Sequence, residues 1–260
     1  MTDLTARYPI AIMFSGGSDS LALLSMAYKG QLKGITPPTD IHLLYMLNGM
    51  SRFPSFPRER YRIAKELLES QITESNEKPE VHYMELDTAR LFQGLWIDHY
   101  EELMPRHDNR NLVCVACKVA MHTRSIIYCV ENQIDTFITG YAKKQEYYPE
   151  QTATFMNRLR EFSQLFGVDT RYPVFEDFTD STVVRHYLED RGLPSAAGGE
   201  RDCMFSQTYT TAEEHHTAAY LDDMLPVVSK YLDFTFKGDV KSATACFPPG
   251  RIKENLIKTS

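Results

Sequence analysis

The chain has 260 residues, with 28 Lys and Arg against 35 Asp and Glu for a formal charge of −7, and it is 43% hydrophobic and 24% charged. A globular chain of this length buries about three-quarters of the surface its unfolded form exposes, so it needs no staple to hold a core together. The acidic balance argues against a protein whose chief business is gripping nucleic-acid backbone, which takes clustered Lys and Arg, and leaves room for a local basic patch.

The apolar runs fall short of the ~20 residues that span a bilayer. The opening residues Met1 to Arg7 do not form a basic stretch followed by an apolar one. No membrane partner and a cytoplasmic location are therefore expected. Thiols stay reduced there, so the five cysteines are expected to be buried, catalytic or metal-bound.

In chain order, the apolar run Tyr8 to Phe14 ends at Ser15-Gly16-Gly17 and reads as a strand, and Ser20 to Tyr28 reads as a helix closing near Gly30. Asp40 to Leu47 reads as a second strand, Arg58 to Ser70 as a charged amphipathic helix and Glu80 to Leu86 as a third strand. A helix is expected over Thr88 to Leu103, a polar loop from Pro105 to Asn111, a helix over Cys117 to Val130 and a fourth strand over Asp135 to Thr139. Strands and helices alternating at these lengths imply an α/β fold, an open and mostly parallel sheet with helices on both faces. From about residue 176 the strand signal fades, and Ser181 to Asp190 and Thr211 to Lys230 read as helices around the loop Pro194 to Gly199. The expected organisation is an α/β domain over 1–175 and a helical extension over 176–260 that carries Cys203.

The sharpest signal is Ser15-Gly16-Gly17-Ser18-Asp19-Ser20 between the first strand and the first helix. Glycines let backbone approach an anion closely, and a helix start favours negative charge. Ser15 and Ser20 add hydroxyls. A carboxylate beside phosphates repels them unless a divalent cation bridges the two, so Asp19 points to Mg2+. A glycine turn whose Asp19 only complements the helix dipole is the alternative.

These six residues resemble the Ser-Gly-Gly-x-Asp-Ser signature of the PP-loop, or N-type, ATP pyrophosphatases. The resemblance implies a five-stranded sheet of the adenine nucleotide alpha hydrolase type. It also implies cleavage of ATP between the α and β phosphates, with AMP attached to a carbonyl-type oxygen and displaced by nitrogen or sulfur. Phe14 and Ser15 to Ser20 would then hold the pyrophosphate, while Met46, Leu47 and Asn48 after the second strand and Gly140 after the fourth would line the adenine crevice at the switch in strand order.

The second signal is Cys114-Val-Ala-Cys117, followed by Lys118, with Cys203 far downstream. Helix starts and nearby cations lower thiol pKa, so thiolates able to act as nucleophiles or soft-metal ligands are expected. The arrangement resembles that of the tRNA thiolation enzymes of the same superfamily. The resemblance implies that Cys114, Cys117 and Cys203 hold a four-iron cluster with one open iron, and a sulfur-donor protein and a nucleobase-containing substrate, tRNA or small molecule, as partners. A persulfide-carrying cysteine, structural zinc with Cys246 as a fourth ligand, and plain buried thiols stay open. A zinc-bearing chain would instead be an amide- or nitrile-forming ligase, and a chain without turnover a nucleotide-binding regulator; a homodimer stays open on all of these readings. Cys129 is expected in the core.

After the fourth strand the thiolation enzymes' Gly-His-x-x-Asp-Asp is replaced by Gly140-Tyr-Ala-Lys-Lys-Gln145. Lys143 and Lys144 would either neutralise α-phosphate charge or form a solvated loop. Arg52, Arg58, Arg60 and Arg62 with Phe53, Phe56 and Tyr61 are expected to be a loop and an exposed helix face, with a nucleobase surface as the alternative. His122, one turn past Lys118, is expected to be a satisfied interior histidine, or else to face the cysteines. His215 and His216 point about 100° apart on a helix and are expected on a solvated face.

Overall fold

The computed structural model describes residues 7–71, 78–145, 147–178, 181–195, 203–205 and 212–248. Strand β1 (Pro9–Met13) feeds helix α1 (Ser18–Tyr28), followed by β2 (Asp40–Leu47), α2 (Phe56–Ser70), β3 (Glu80–Asp87), α3 (Ala89–Leu95), α4 (Tyr100–Arg106), α5 (Val113–Glu131) and β4 (Thr136–Ile138). Then come α6 (Ala153–Gln164), β5 (Asp169–Arg171), α7 (Pro173–Asp177), α8 (Ser181–Glu189), α9 (Glu214–Phe236) and α10 (Val240–Ala245).

The strands form one sheet of order β3-β2-β1-β4-β5, and every pairing is parallel. Successive side chains of β1 alternate between two layers, as the period of a strand requires. Ile10, Ile12 and Phe14 meet α1, α2 and α8 on one face, whereas Ala11 and Met13 meet Tyr128 and Cys129 of α5 on the other. The order turns back at β1, so connections leave for opposite edges at the carboxyl ends of β1 and β4. A crevice opens at that point.

Helix α5 has the length and hydropathy of a membrane span, with a mean of 1.4 over 18 residues, but 67% of that window is buried inside the protein. It is the spine of a second core shared with α3, α6 and α9, in which Val115, Val119 and Ile126 pack with Phe155, Leu159, Tyr220 and Leu225. The helices beyond residue 176 therefore add to cores begun by the α/β part: α8 through Val184 and Leu188, α9 through Tyr220 to Leu232.

Two expectations need correction. Thr88 to Leu103 is not one helix, because α3 stops at Trp96, whose backbone turns to φ −145° and ψ −58°. That turn buries the indole edge-on against Tyr220, and tertiary packing overrides a helical pattern here. A helix at Ala153–Gln164 was not anticipated, although Thr152 caps it and Phe155, Met156, Leu159 and Phe162 recur at helical spacing.

Candidate active site

The loop Ser15–Ser20 turns sharply because Gly16 sits at φ +75°, where side chains are rarely tolerated. A β-carbon there would lie 2.9 Å from the Cα of Pro57 in α2. Internal bonds fix the rest of the turn: the Ser20 hydroxyl donates to the Gly17 carbonyl at 3.0 Å, and the Gly17 amide donates to Ser15 Oγ at 3.3 Å. Arg60 Nε donates to the Gly16 carbonyl at 3.4 Å from across the loop. Gly17 ends the turn in extended conformation, and α1 begins at Ser18 with Asp19 in its first turn. Gly16→Ala is expected to cost about 1–3 kcal/mol of stability, which urea denaturation would measure.

Ser15, Gly17, Ser18, Asp19 and Ser20 line a cavity of about 310 Å³. One wall comes from Tyr45 and Met46 at the end of β2 and Asn48 and Ser51 after it, another from Thr139, Gly140 and Tyr141 after β4, and a third from Lys118 of α5 and Cys203. Gly140 is where the two loops nearly touch, because a β-carbon on it would stand 3.1 Å from Cβ of Asp19. The Thr139 hydroxyl is buried with no hydrogen-bond partner among the described residues. A cradle too tight for side chains, a helix start and an unanswered hydroxyl together suit an anionic ligand such as a nucleotide phosphate.

The remaining nucleotide residues expected from the sequence are placed as follows. Phe14 is in the core, edge-on to Tyr83, and Leu47 is half-buried outside the cavity lining. Lys143 is exposed and also outside the lining, and the side chain of Lys144 lies outside what the structure describes.

Helix α5 starts four residues before the expected Cys117, so Cys114 lies in its first turn and Cys117 one turn on, on the same side. Cys203 approaches from the C-terminal part, bridging Ser51 in antiparallel fashion while the Met204 amide donates to the Met50 carbonyl at 3.0 Å. Asn48 joins the two halves of the site: its Nδ2 donates to Cys117 Sγ at 3.4 Å, and its Oδ1 accepts the Met50 amide at 2.9 Å. The thiols of Cys114, Cys117 and Cys203 act electrostatically on one another.

The expected lowering of thiol pKa is overturned. Burial dominates and holds Cys114 well above the ordinary thiol range. Burial likewise lifts Cys117 to about 11, although the Asn48 amide and Lys118 pull it down. Without a bound metal these two thiols are protonated.

A closed zinc site with bonds of about 2.3 Å places thiolate sulfurs within about 4 Å of one another. Among the described residues, the groups with three ligand atoms within 4.8 Å of one another are Asp108–His215–His216 and Asp40–Glu80–His82, and the three cysteines are not such a group. Cys129 is fully buried in the core, and Cys246 donates to the Ser242 carbonyl at 3.5 Å, its thiol responding to burial and Lys230 instead of to the other cysteines.

Two residues, Lys118 and Glu150, gain roles that spacing alone did not reveal, and a third, His122, takes the interior place expected of it. The ammonium of Lys118 lies 5.3 Å from the centroid of the Tyr141 ring and lines the cavity, which an i,i+1 neighbour of Cys117 on an amphipathic helix does not announce. His122 is fully buried, its Nε2 is 2.9 Å from the Tyr141 hydroxyl, and burial holds its pKa down at about 3, so it is a neutral interior prop. Glu150, in the turn Pro149–Gln151, is buried beside the cysteines, and burial pushes its carboxyl up.

On the rim, Arg58 pairs with Glu85 at 2.8 Å, the Tyr61 ring stacks on Tyr83, and Phe53 is exposed. His215 is exposed as expected, but His216 is not on a solvated face. It is buried, and its Nδ1 accepts the Glu213 amide to cap α9.

No family model matches the chain, and no curated protein matches it. Among solved structures it is similar to the U34-tRNA thiolase NcsA from Methanococcus maripaludis with its four-iron, four-sulfur cluster. That similarity is 15% identity and a TM-score of 0.48, covering 98% of this chain and 74% of the other. A likeness at that level leaves the chemistry to be argued from the site itself.

Proposed function

We propose that this chain is an ATP-dependent sulfurtransferase that adenylates a carbonyl-type oxygen of a nucleobase and replaces it with sulfur, releasing AMP and pyrophosphate. One observation carries the reading: the Ser15–Ser20 loop and Cys203 line the same cavity, with Asn48 bonding from its wall to Cys117. Energy source and sulfur-handling residues would meet around one substrate. Ser15, Gly17 and Ser20 would hold the β and γ phosphates, Asp19 the Mg2+, and Met46 and Gly140 the adenine side.

The carbonyl oxygen attacks the α-phosphorus and pyrophosphate leaves. A sulfur nucleophile then attacks the carbon, and AMP departs with the original oxygen. Lys118 is the cation this reading places beside the charge that develops on the α-phosphate, with the Tyr141 face steadying it. Cys114, Cys117 and Cys203 would hold a four-iron cluster, which when bound supplies an iron position open to sulfur.

Lys118→Met keeps the apolar stem and removes the charge. It is expected to lower AMP formation by about 100-fold or more, whereas Lys143→Ala changes it little. Steady-state rates of both variants check this.

The reading is tested on anaerobically purified protein by iron and sulfide analysis, and by AMP and pyrophosphate release from ATP with RNA and metabolite fractions added separately. Iron with acid-labile sulfide and fraction-dependent AMP release support it. One zinc without sulfide points to amide or nitrile formation, and ATP binding without cleavage points to a regulator; either result defeats the proposal.

A further inference from the structure

Glu150 is a buried acid that the reaction above leaves unused. It is 7% exposed, in a 3-10 turn packed against α5, α6 and α9. Its Oε2 has no hydrogen-bond partner among the described residues. The carboxylate acts on the Cys114 thiol more strongly than any other charged group, ahead of Cys117 and Cys203, and it also acts on Cys117. Lys118 is the cation acting on it. A carboxylate oxygen buried without a partner carries a desolvation penalty, which a bound ligand would relieve. Here the turn that carries it packs on α5, the helix that bears Cys114 and Cys117, two of the cysteines proposed to hold iron.

We infer that Glu150 is the fourth protein ligand of the centre held by Cys114, Cys117 and Cys203, resting through Oε2 on the iron that the thiolates leave open. The inference rests on the iron–sulfur reading proposed above. A carboxylate oxygen is a hard donor on a site otherwise built of soft ones, so it shields the open position and yields to sulfur. In the exchange the iron–oxygen bond breaks and an iron–sulfur bond forms to an incoming hydrosulfide. The carboxylate keeps its electron pair and its charge beside Lys118, and no oxidant or reductant is required.

The test compares wild type, Glu150→Gln and Glu150→Cys after anaerobic cluster reconstitution. Iron and sulfide are measured first, then the electron paramagnetic resonance spectrum of the reduced protein is titrated with cyanide. With equal cluster content, Glu150→Gln is expected to show an altered spectrum before cyanide is added. It should also bind cyanide about tenfold more tightly, because a competing ligand present nine-tenths of the time hides that share of the open state. Glu150→Cys supplies a fourth thiolate and is expected to lose cyanide binding. It keeps the test alive should the Gln variant fold poorly by circular dichroism. Identical spectra and cyanide affinities in wild type and both loaded variants overturn the inference and reduce Glu150 to a counter-charge for Lys118. Zinc without sulfide in the wild type defeats the iron–sulfur reading itself, a different failure that the metal analysis identifies before any variant is compared.

Discussion

Asp19→Ala is expected to lower AMP and pyrophosphate formation by at least about 100-fold while the protein still folds. The loop keeps its shape through Gly16 at φ +75°, the Ser20 hydroxyl on the Gly17 carbonyl and the Arg60 contact with the Gly16 carbonyl. A first-turn carboxylate contributes only about 0.3–1 kcal/mol to its helix. Catalysis is different, because the leaving pyrophosphate gathers charge that a metal must neutralise. Asp19 lines the cavity among the loop residues that would face that charge.

Asp19→Asn separates the two roles. It keeps the size and most of the hydrogen bonding and loses the charge. The expected result is a rate close to that of the Ala variant, not restored by raising Mg2+. Retention of wild-type turnover in Asp19→Asn would sink the assignment of Asp19 to the metal.

How far the sequence speaks depends on how local the determinant is. The strands β1 to β4 were legible because each is an apolar run bounded by turn residues, and their alternation with helices dictates a parallel sheet. β5 was not, since Asp169-Thr-Arg171 is three residues long, and what makes it a strand is its parallel pairing with β4 at the sheet edge. The Ser15–Ser20 loop was legible because a glycine turn entering a helix is a local device. Lys118 and Glu150 acquire their roles by meeting across the fold, and so does Tyr141 as the partner of His122, whose interior place the helix pattern did show. So does the thiol pKa: the sequence displays the helix start and the lysine beside the cysteines, but the burial that outweighs both arises only when α5 is packed.

That burial would make loading of the proposed metal site strongly pH-dependent. Cys114 and Cys117 are protonated in the metal-free protein at neutral pH, the latter up to about pH 11, and each must lose its proton to bind. With Zn2+ as a probe of the thiolates, apparent affinity is expected to rise by about tenfold per thiol per pH unit, and so by about 100-fold per unit between pH 6 and 8. A chelator competition at several pH values measures this, and proton release follows from titration in buffers of different ionisation enthalpy. A flat pH profile would mean that the thiols are already ionised.

The same shift sets the stability of the metal-free protein. The folded state holds these protons above the pH at which unfolded cysteines, near 8.5, release them. The stabilisation is therefore fully present below that pH and is lost as pH climbs through the folded-state values. Cys117→Ser removes one of the proposed ligands and should leave metal-free folding nearly unchanged while abolishing retention of iron and sulfide. Because the proposed chemistry needs that site loaded, conversion of oxygen to sulfur in the substrate should vanish with it, while ATP binding at the Ser15–Ser20 loop persists.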